Sequence, residues 1–335
     1  RCLTCRNCET TCPSGVQYGH LVDMGRKIVD AKVPRPLGER AVRWALKEGL
    51  TSPLFDSAMQ AGQALRGVLP ASVRAKVPVP TAAGHWPRRQ HARKVLLLEG
   101  CVQPSMAPGI NAATVRVLDA VGIQAVIAPE AGCCGAVKFH LNDQQGALAQ
   151  MRANIDAWWP RVGSDAVECI VLNASGCGAM VKEYGHHLQH DAQYAAKAAR
   201  ISALARDLSE LLPDIAASLQ GQLRNVPQGV VALQSPCTLQ HGQRLRGGIE
   251  QHLRALGFDV RVAQEAHLCC GSAGTYSVLQ PQLSQALRTR KLGHLQALGP
   301  SVIASANIGC ITHLQSGTDT PVRHWVQVLD EALAG

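Results

Sequence analysis

The sequence predicts an α/β protein: two repeated cysteine-rich domains, each with a short parallel sheet and crossover helices, preceded by the remnant of an α-helical two-cluster ferredoxin domain. Three observations predict it. The phrase Gly132-Cys133-Cys134-Gly135 returns as Cys269-Cys270-Gly271, and a lone cysteine precedes each pair at the same spacing, Cys101 and Cys237. Further lone cysteines, Cys177 and Cys310, follow at similar spacing. Short apolar runs alternate with longer helical patterns in both copies, which is the signature of strands joined by crossover helices. The chain opens RCLTCRNCETTCPSG, placing Cys2, Cys5, Cys8 and Cys12 in the run C-x2-C-x2-C-x3-C-P.

That opening run lets one tight loop present three thiolates to a [4Fe-4S] cubane, while the fourth cysteine serves the other cubane of a two-cluster ferredoxin. Residues 1–36 therefore read as the C-terminal half of such a domain. A reciprocal motif is expected in a segment before Arg1. From His20 to Lys32 the pattern is helical, and Val33-Pro34-Arg35-Pro36 breaks it. Residues 37–92 read as a helical linker region, with apolar periodicity over Ala41–Leu46 and Met59–Leu69 and a basic loop at Trp86-Pro87-Arg88-Arg89.

Residues 93–190 form the first cysteine-rich domain. Val95–Leu98, Ala125–Ala128 and Cys169–Leu172 are expected as buried strands, with helices over Asn111–Val121 and Asp143–Trp159. Each strand delivers cysteine at or just after its C-terminal end, so parallel strands bring the thiols to one edge. Residues 191–226 read as a bridge whose helix spans Asp191–Leu212 and ends at Pro213. Residues 227–335 repeat the order: strands at Val230–Leu233, Asp259–Val262 and Val302–Ala304, helices at Gln243–Leu256 and Pro281–Leu298.

Composition narrows the function classes. At 335 residues with 46% hydrophobic and 17% charged residues, the chain can bury ordinary cores. No apolar run of eighteen residues is present, so membrane contact is expected to be peripheral, if any. The net charge of +9 is scattered, aromatics are 4%, and no nucleic-acid motif appears. A basic face toward an acidic subunit or an anionic lipid surface, or simple solvated charge, is the better reading. Thirteen cysteines in a chain that can build a core do not suggest a disulfide framework. Twelve fall into three sets of four beside Gly or Pro, the pattern of metal or cluster ligation in a reducing, cytoplasmic compartment, with docking on the inner face of the cytoplasmic membrane left open.

A strand points successive side chains to opposite faces, so Cys133 and Cys134 reach one centre only if the backbone turns there. Gly132 and Gly135 are expected to supply that freedom, as Gly271 does in the second copy. A ferredoxin-type run joined to two copies of Cys, Cys-Cys-Gly and Gly-Cys resembles the cysteine-rich CCG domain family. Within it, RCLTCRNCETTCPSG, GCCGAVKFH, CCGSAGTYS and ANIGCITHL are similar to the iron-sulfur subunits of glycolate oxidases, also called glycolate dehydrogenases. The resemblance covers essentially the whole chain. It implies an oxidoreductase complex in which FAD-containing glycolate dehydrogenase subunits oxidise glycolate to glyoxylate. This subunit, with no catalytic residue of its own, would carry electrons onward to quinone or another acceptor.

The resemblance also implies Cys2, Cys5 and Cys8 as ligands of one cubane and Cys12 as ligand of its partner, two [4Fe-4S] clusters in the intact domain. Cys101, Cys133, Cys134 and Cys177, and then Cys237, Cys269, Cys270 and Cys310, would hold further iron-sulfur centres or zinc. Heterodisulfide reductases of the family end each repeat in C-x2-C, whereas Met180 and His313 stand here. His313 could add a nitrogen ligand, and Met180 is expected to pack. Competing readings are a catalytic disulfide-reducing subunit, a zinc-bound scaffold, or the equivalent subunit of a D-lactate or glycerol-3-phosphate dehydrogenase.

The other candidates read as structural. Cys169 lies outside all three sets in an apolar strand and is expected as a buried thiol. His140 and His267 are nearest the pairs, but no second ligand accompanies either at helical spacing. Lys138 could offset cluster charge, though a surface role is commoner. No G-x-G-x-x-G or Walker sequence marks a nucleotide site.

Overall fold

The computed structural model describes residues 2–74, 77–164 and 166–333. Two four-stranded parallel sheets carry the duplication. The first contains β1 (Arg93–Leu98), β2 (Ile123–Ile127), β3 (Ile170–Leu172) and β4 (Ala205–Asp207) in the order β2-β1-β3-β4. The second contains β5 (Val231–Leu233), β6 (Val260–Val262), β7 (Val302–Ser305) and β8 (Val322–His324) in the order β6-β5-β7-β8. Leu96 pairs with Ile170 and Ala232 with Ile303, which puts the same positions at the centre of each sheet. The run Val95–Leu98 is buried throughout because helices cover both faces, as expected for parallel strands.

Ahead of the sheets run α1 (Asn7–Thr11), α2 (Tyr18–Lys32), α3 (Leu37–Gly49), α4 (Phe55–Ala64) and α5 (Ala71–Arg74). The first repeat adds α6 (Gln103–Met106), α7 (Pro108–Ala120), α8 (Ala136–His140), α9 (Gln144–Val162), α10 (Ser175–Val181), α11 (Tyr184–His187), α12 (Ala195–Leu204) and, after β4, α13 (Leu212–Leu219). The second adds α14 (Gly248–Ala255), α15 (Tyr276–Leu279), α16 (Pro281–Gln296), α17 (Ile308–Gln315) and α18 (Trp325–Leu333). Most exposed large hydrophobics lie on α2 to α5 and their connections, Trp44 among them, so this region contributes little to the core. No helix among the described residues is long and apolar enough to cross a membrane.

One apolar cluster surrounds Trp158 and Tyr184 in the first repeat. A second runs continuously from Val95, Val117 and Leu118 into Val231, Ile303 and Trp325, so the repeats share a core. Helix α18 lies along α7, and Arg116 Nη2 reaches Asp330 at 2.6 Å across that contact.

The sequence reading needs three corrections. The segment Asp191–Leu212 is not one helix ended by Pro213: it contains α12, then β4, and Pro213 sits in the first turn of α13. Proline is tolerated there because its missing N–H has no helical partner to lose. Each sheet has four strands, not three; β4 (Ala-Arg-Asp) and β8 (Val-Arg-His) are short and carry no apolar run to mark them. The helix expected from Gln243 begins only at Gly248, because Arg244 and Gly247 take positive φ of 58° and 79°.

Candidate metal centres

Parallel strands put all their C-terminal ends on one edge, and that edge gathers the cysteines. In the first repeat Cys101 follows β1, the Cys133–Cys134 pair follows β2, and Cys177 lies in the first turn of α10. The thiols of Cys101 and Cys134 and the backbone N–H groups of Gly135 and Val137 around Cys133 hold its thiol down to about 3. Cys101 and Cys134 move up for the complementary reason, donation to Cys133 reinforced by burial. Cys134 also contacts Cys177, so the four thiols form one run.

The turn at the pair is fixed by backbone and side chains together. Gly135 takes φ 93°, but Gly132 shows no positive φ, so only one of the two expected glycines supplies special freedom. Gly132 N–H instead donates to Asn154 Oδ1 at 2.8 Å. Asn154 Nδ2 donates to the Cys133 carbonyl at 2.9 Å, and Tyr184 O–H to the Cys134 carbonyl at 2.9 Å.

The second repeat repeats the run in a more enclosed form. Cys237, Cys269, Cys270 and Cys310 are all buried. Cys237 Sγ lies 3.9 Å from Cys269 Sγ, and Cys270 Sγ lies 3.2 Å from Cys310 Sγ. Gly271 N–H donates to Cys269 Sγ at 3.4 Å, and Asn307 Nδ2 reaches Cys310 Sγ at 3.8 Å. Gly271 has φ 90°, and a Cβ there would stand 2.4 Å from the Ser284 carbonyl. His313 lies one turn beyond Cys310, where its Nε2 meets Ser284 Oγ at 3.1 Å.

The two runs face one seam. Ser175 N–H donates to the Ala306 carbonyl at 3.0 Å, Gly176 N–H to Asn307 Oδ1 at 3.1 Å, and Ser175 Oγ meets Thr238 Oγ1 at 2.7 Å. The N-terminal motif docks on the same seam. Arg6, between Cys5 and Cys8, forks onto Glu183 of the first repeat. Thr10 Oγ1 reaches His241 Nδ1 of the second at 2.7 Å, and Cys5 lies within electrostatic reach of Cys237. Thr4 and Arg6 take φ of 56° and 58°, giving the tight loop the spacing requires, and Thr4 N–H donates to Cys2 Sγ at 3.3 Å. Cys12 is held down by the N–H groups of Val16 and Ser14.

All thirteen thiols are outside disulfides. Among the described residues, no group of three or more His, Cys, Asp or Glu is arranged for a single metal ion. Runs of free thiols, buried throughout in the second repeat and in part in the first, and met by backbone N–H groups, fit an iron-sulfur group in their donor chemistry.

The remaining candidates sit elsewhere. Cys169 lies half-buried just before β3, at the opposite edge of the sheet, where burial pushes its thiol up to about 11. Lys138 turns to Glu48 at 3.2 Å, and Met180 is buried in the first core. His140 and His267 are exposed. Sequence reasoning missed His241, which is 1% exposed and bonds the His267 carbonyl at 2.9 Å. It also missed Asn154, Tyr184 and Lys291, whose positions on helices gave no motif.

The cysteine-rich domain family (CCG) matches residues 95–182 and 231–315, one match on each thiol run. The chain belongs to the CCG cysteine-rich domain family. It is 51% identical over 99% of its length to the glycolate oxidase iron-sulfur subunit of Escherichia coli, covering 81% of that protein. It is 29% identical over 95% of its length to the probable glycolate oxidase iron-sulfur subunit of Bacillus subtilis, covering 77%. Lactate utilization protein A of Geobacillus kaustophilus is 27% identical over 71% of this chain and matches along 98% of its own length. The CCG phrase is thus the part shared around both buried turns, Gly135 and Gly271 being where the backbone needs glycine.

Proposed function

We propose that this chain is the iron-sulfur electron-transfer subunit of a flavin-dependent glycolate oxidase, passing electrons from FAD-containing partner subunits to quinone or another acceptor. The observation that carries the reading is the seam: a partly buried thiol run, a fully buried one and the N-terminal cysteine motif meet at one place. Similarity to the Escherichia coli and Bacillus subtilis subunits supports glycolate as the substrate of the complex.

Cys2, Cys5, Cys8 and Cys12 would serve the ferredoxin-type cubanes. Cys101, Cys133, Cys134 and Cys177 would hold one further centre, and Cys237, Cys269, Cys270 and Cys310 another. Iron-sulfur groups held there supply one-electron storage without proton chemistry on the chain. The protein's part is to exclude water, to aim N–H groups of Gly135, Val137 and Gly271 at sulfur, and to keep the N-terminal motif against the seam. No side chain is assigned to substrate chemistry.

Anaerobic preparation followed by iron, acid-labile sulfide and zinc analysis tests the centres. Iron and sulfide beyond the N-terminal set are expected; stoichiometric zinc in their place overturns the relay. Assay of the co-purified complex with glycolate, D-lactate and glycerol 3-phosphate tests the substrate, and absence of glycolate-dependent reduction of an artificial acceptor rejects it. Likeness to lactate utilization protein A makes lactate the arm to compare first.

A further inference from the structure

The two thiol runs are copies in sequence, yet their surroundings differ in charge. The glycine after each pair registers the following helix: a Cβ on Gly135 would meet the Ala147 carbonyl of α9, and one on Gly271 the Ser284 carbonyl of α16. Two turns further along each helix stand Asn154 and Lys291. They occupy one position in the duplicated plan. Both reach back to the loop that carries the cysteine pair: Asn154 binds Gly132 N–H and the Cys133 carbonyl, while Lys291 Nζ donates to the Glu265 carbonyl at 2.8 Å and the Ala266 carbonyl at 3.3 Å.

Lys291 is 3% exposed, and among the described residues its ammonium donates to backbone carbonyls and to no carboxylate. Burial works against its charge; the thiols of Cys270, Cys269 and Cys310, and after them the Glu265 carboxylate, work for it. The same bias runs through the rest of the shell. Ser284 replaces Ala147, His313 replaces Met180, and the Tyr184 position is Gly317 in the second repeat. The first run is thus supported by neutral groups, Asn154 and Tyr184, and the second by a buried cation with a serine–histidine pair.

We propose that Lys291 is a positioning and potential-setting residue that makes the second thiol site the higher-potential member of the pair. The inference rests on the proposed reading of both runs as iron-sulfur sites. A centre that accepts an electron becomes more negative by one charge, and a fixed cation in a low-dielectric surround stabilises that state. The electron pairing is simple: one electron shared by the two sites comes to rest on the second, and no bond forms or breaks. Cys237 of that second site lies within electrostatic reach of Cys5 in the N-terminal motif.

The test is a potentiometric titration of the intact anaerobic protein, followed by electron paramagnetic resonance, with iron and sulfide measured on each sample. Two separate midpoints are expected for the repeat centres. Lys291→Gln, which keeps a donor and removes the charge, should lower the higher midpoint, cutting its reduced-to-oxidised ratio at least ~10-fold at fixed potential, ~59 mV for one electron. Lys291→Arg should restore it, and the other midpoint should stay. Full iron loading with both midpoints unchanged in Lys291→Gln overturns the inference while leaving the relay intact. Absence of iron and sulfide from the repeats in the wild-type protein overturns the relay itself. If Lys291→Gln does not fold, Cys270→Ser decides: loss of the higher-potential signal supports the assignment, and loss of the lower one reverses it.

Discussion

Gly271 shows how one residue can be fixed by geometry. Its φ of 90° and the 2.4 Å approach to the Ser284 carbonyl leave no place for a Cβ, whereas the same atom on Gly135 would stand 3.2 Å from the Ala147 carbonyl. Gly271→Ala should therefore cost about 1–3 kcal/mol of stability and reduce iron loading, with Gly135→Ala milder. Chemical denaturation of the two variants checks the order, and equal losses would count against it. Cys134→Ser and Cys270→Ser should lower iron content and turnover of the whole complex, while Cys169→Ser, at the far edge of the sheet, should change neither. The residues around the thiols were only partly legible. Cysteine and glycine announce themselves by spacing, but Asn154, Tyr184 and Lys291 act through carbonyls that are near them only after the chain has folded.

At the scale of elements, α1 is held as a latch between the repeats. Arg6 on Glu183 and Thr10 on His241 are its two points of attachment. Glu183→Ala removes a charge-assisted fork and should loosen residues 2–17 by about 1.5–3 kcal/mol, read as faster amide exchange there with the sheets unchanged. Unchanged exchange would remove the latch from the account. The helices and central strands were readable because each is long enough, or apolar enough, to show its period. Strands β4 and β8 were not, since Ala-Arg-Asp and Val-Arg-His carry no apolar run and only pairing to β3 and β7 defines them. Pro213 misled for a related reason: the residue that stops one helix is also the residue that starts another.

Over the whole molecule, stability should fall on mild acidification. Burial holds His187 down to about 4 and His324 to about 3, so both are neutral in the folded chain near neutrality. Unfolded histidine takes up a proton below ~6.5. The contribution of these groups is therefore complete above that value and is lost as pH falls from there toward the folded values. Glu183, faced by Arg6, His20 and His187 and held below the usual carboxylate range, acts in the same direction at lower pH. The melting temperature should drop between pH 7.5 and 5.5, and a flat profile would falsify this assignment. The shared core makes a second prediction. Because apolar packing runs unbroken from α7 into α18, the repeats should unfold in one transition by calorimetry and by tryptophan fluorescence. Two resolved transitions would mean that the seam is weaker than its packing implies.

The sequence by itself determined the duplication, the α/β class, the three sets of thiols and the edge at which two of them gather. Those features are local or periodic: motif spacing, short apolar runs, and parallel strands that must end on one side. The tertiary structure decided what no spacing encodes. It brought the N-terminal motif against both repeats, set the first run among neutral groups, and placed a buried lysine beside the second. The physical reason is that contact and burial depend on which surfaces meet, and Lys291 lies on a helix whose register is fixed only when Gly271 closes against it.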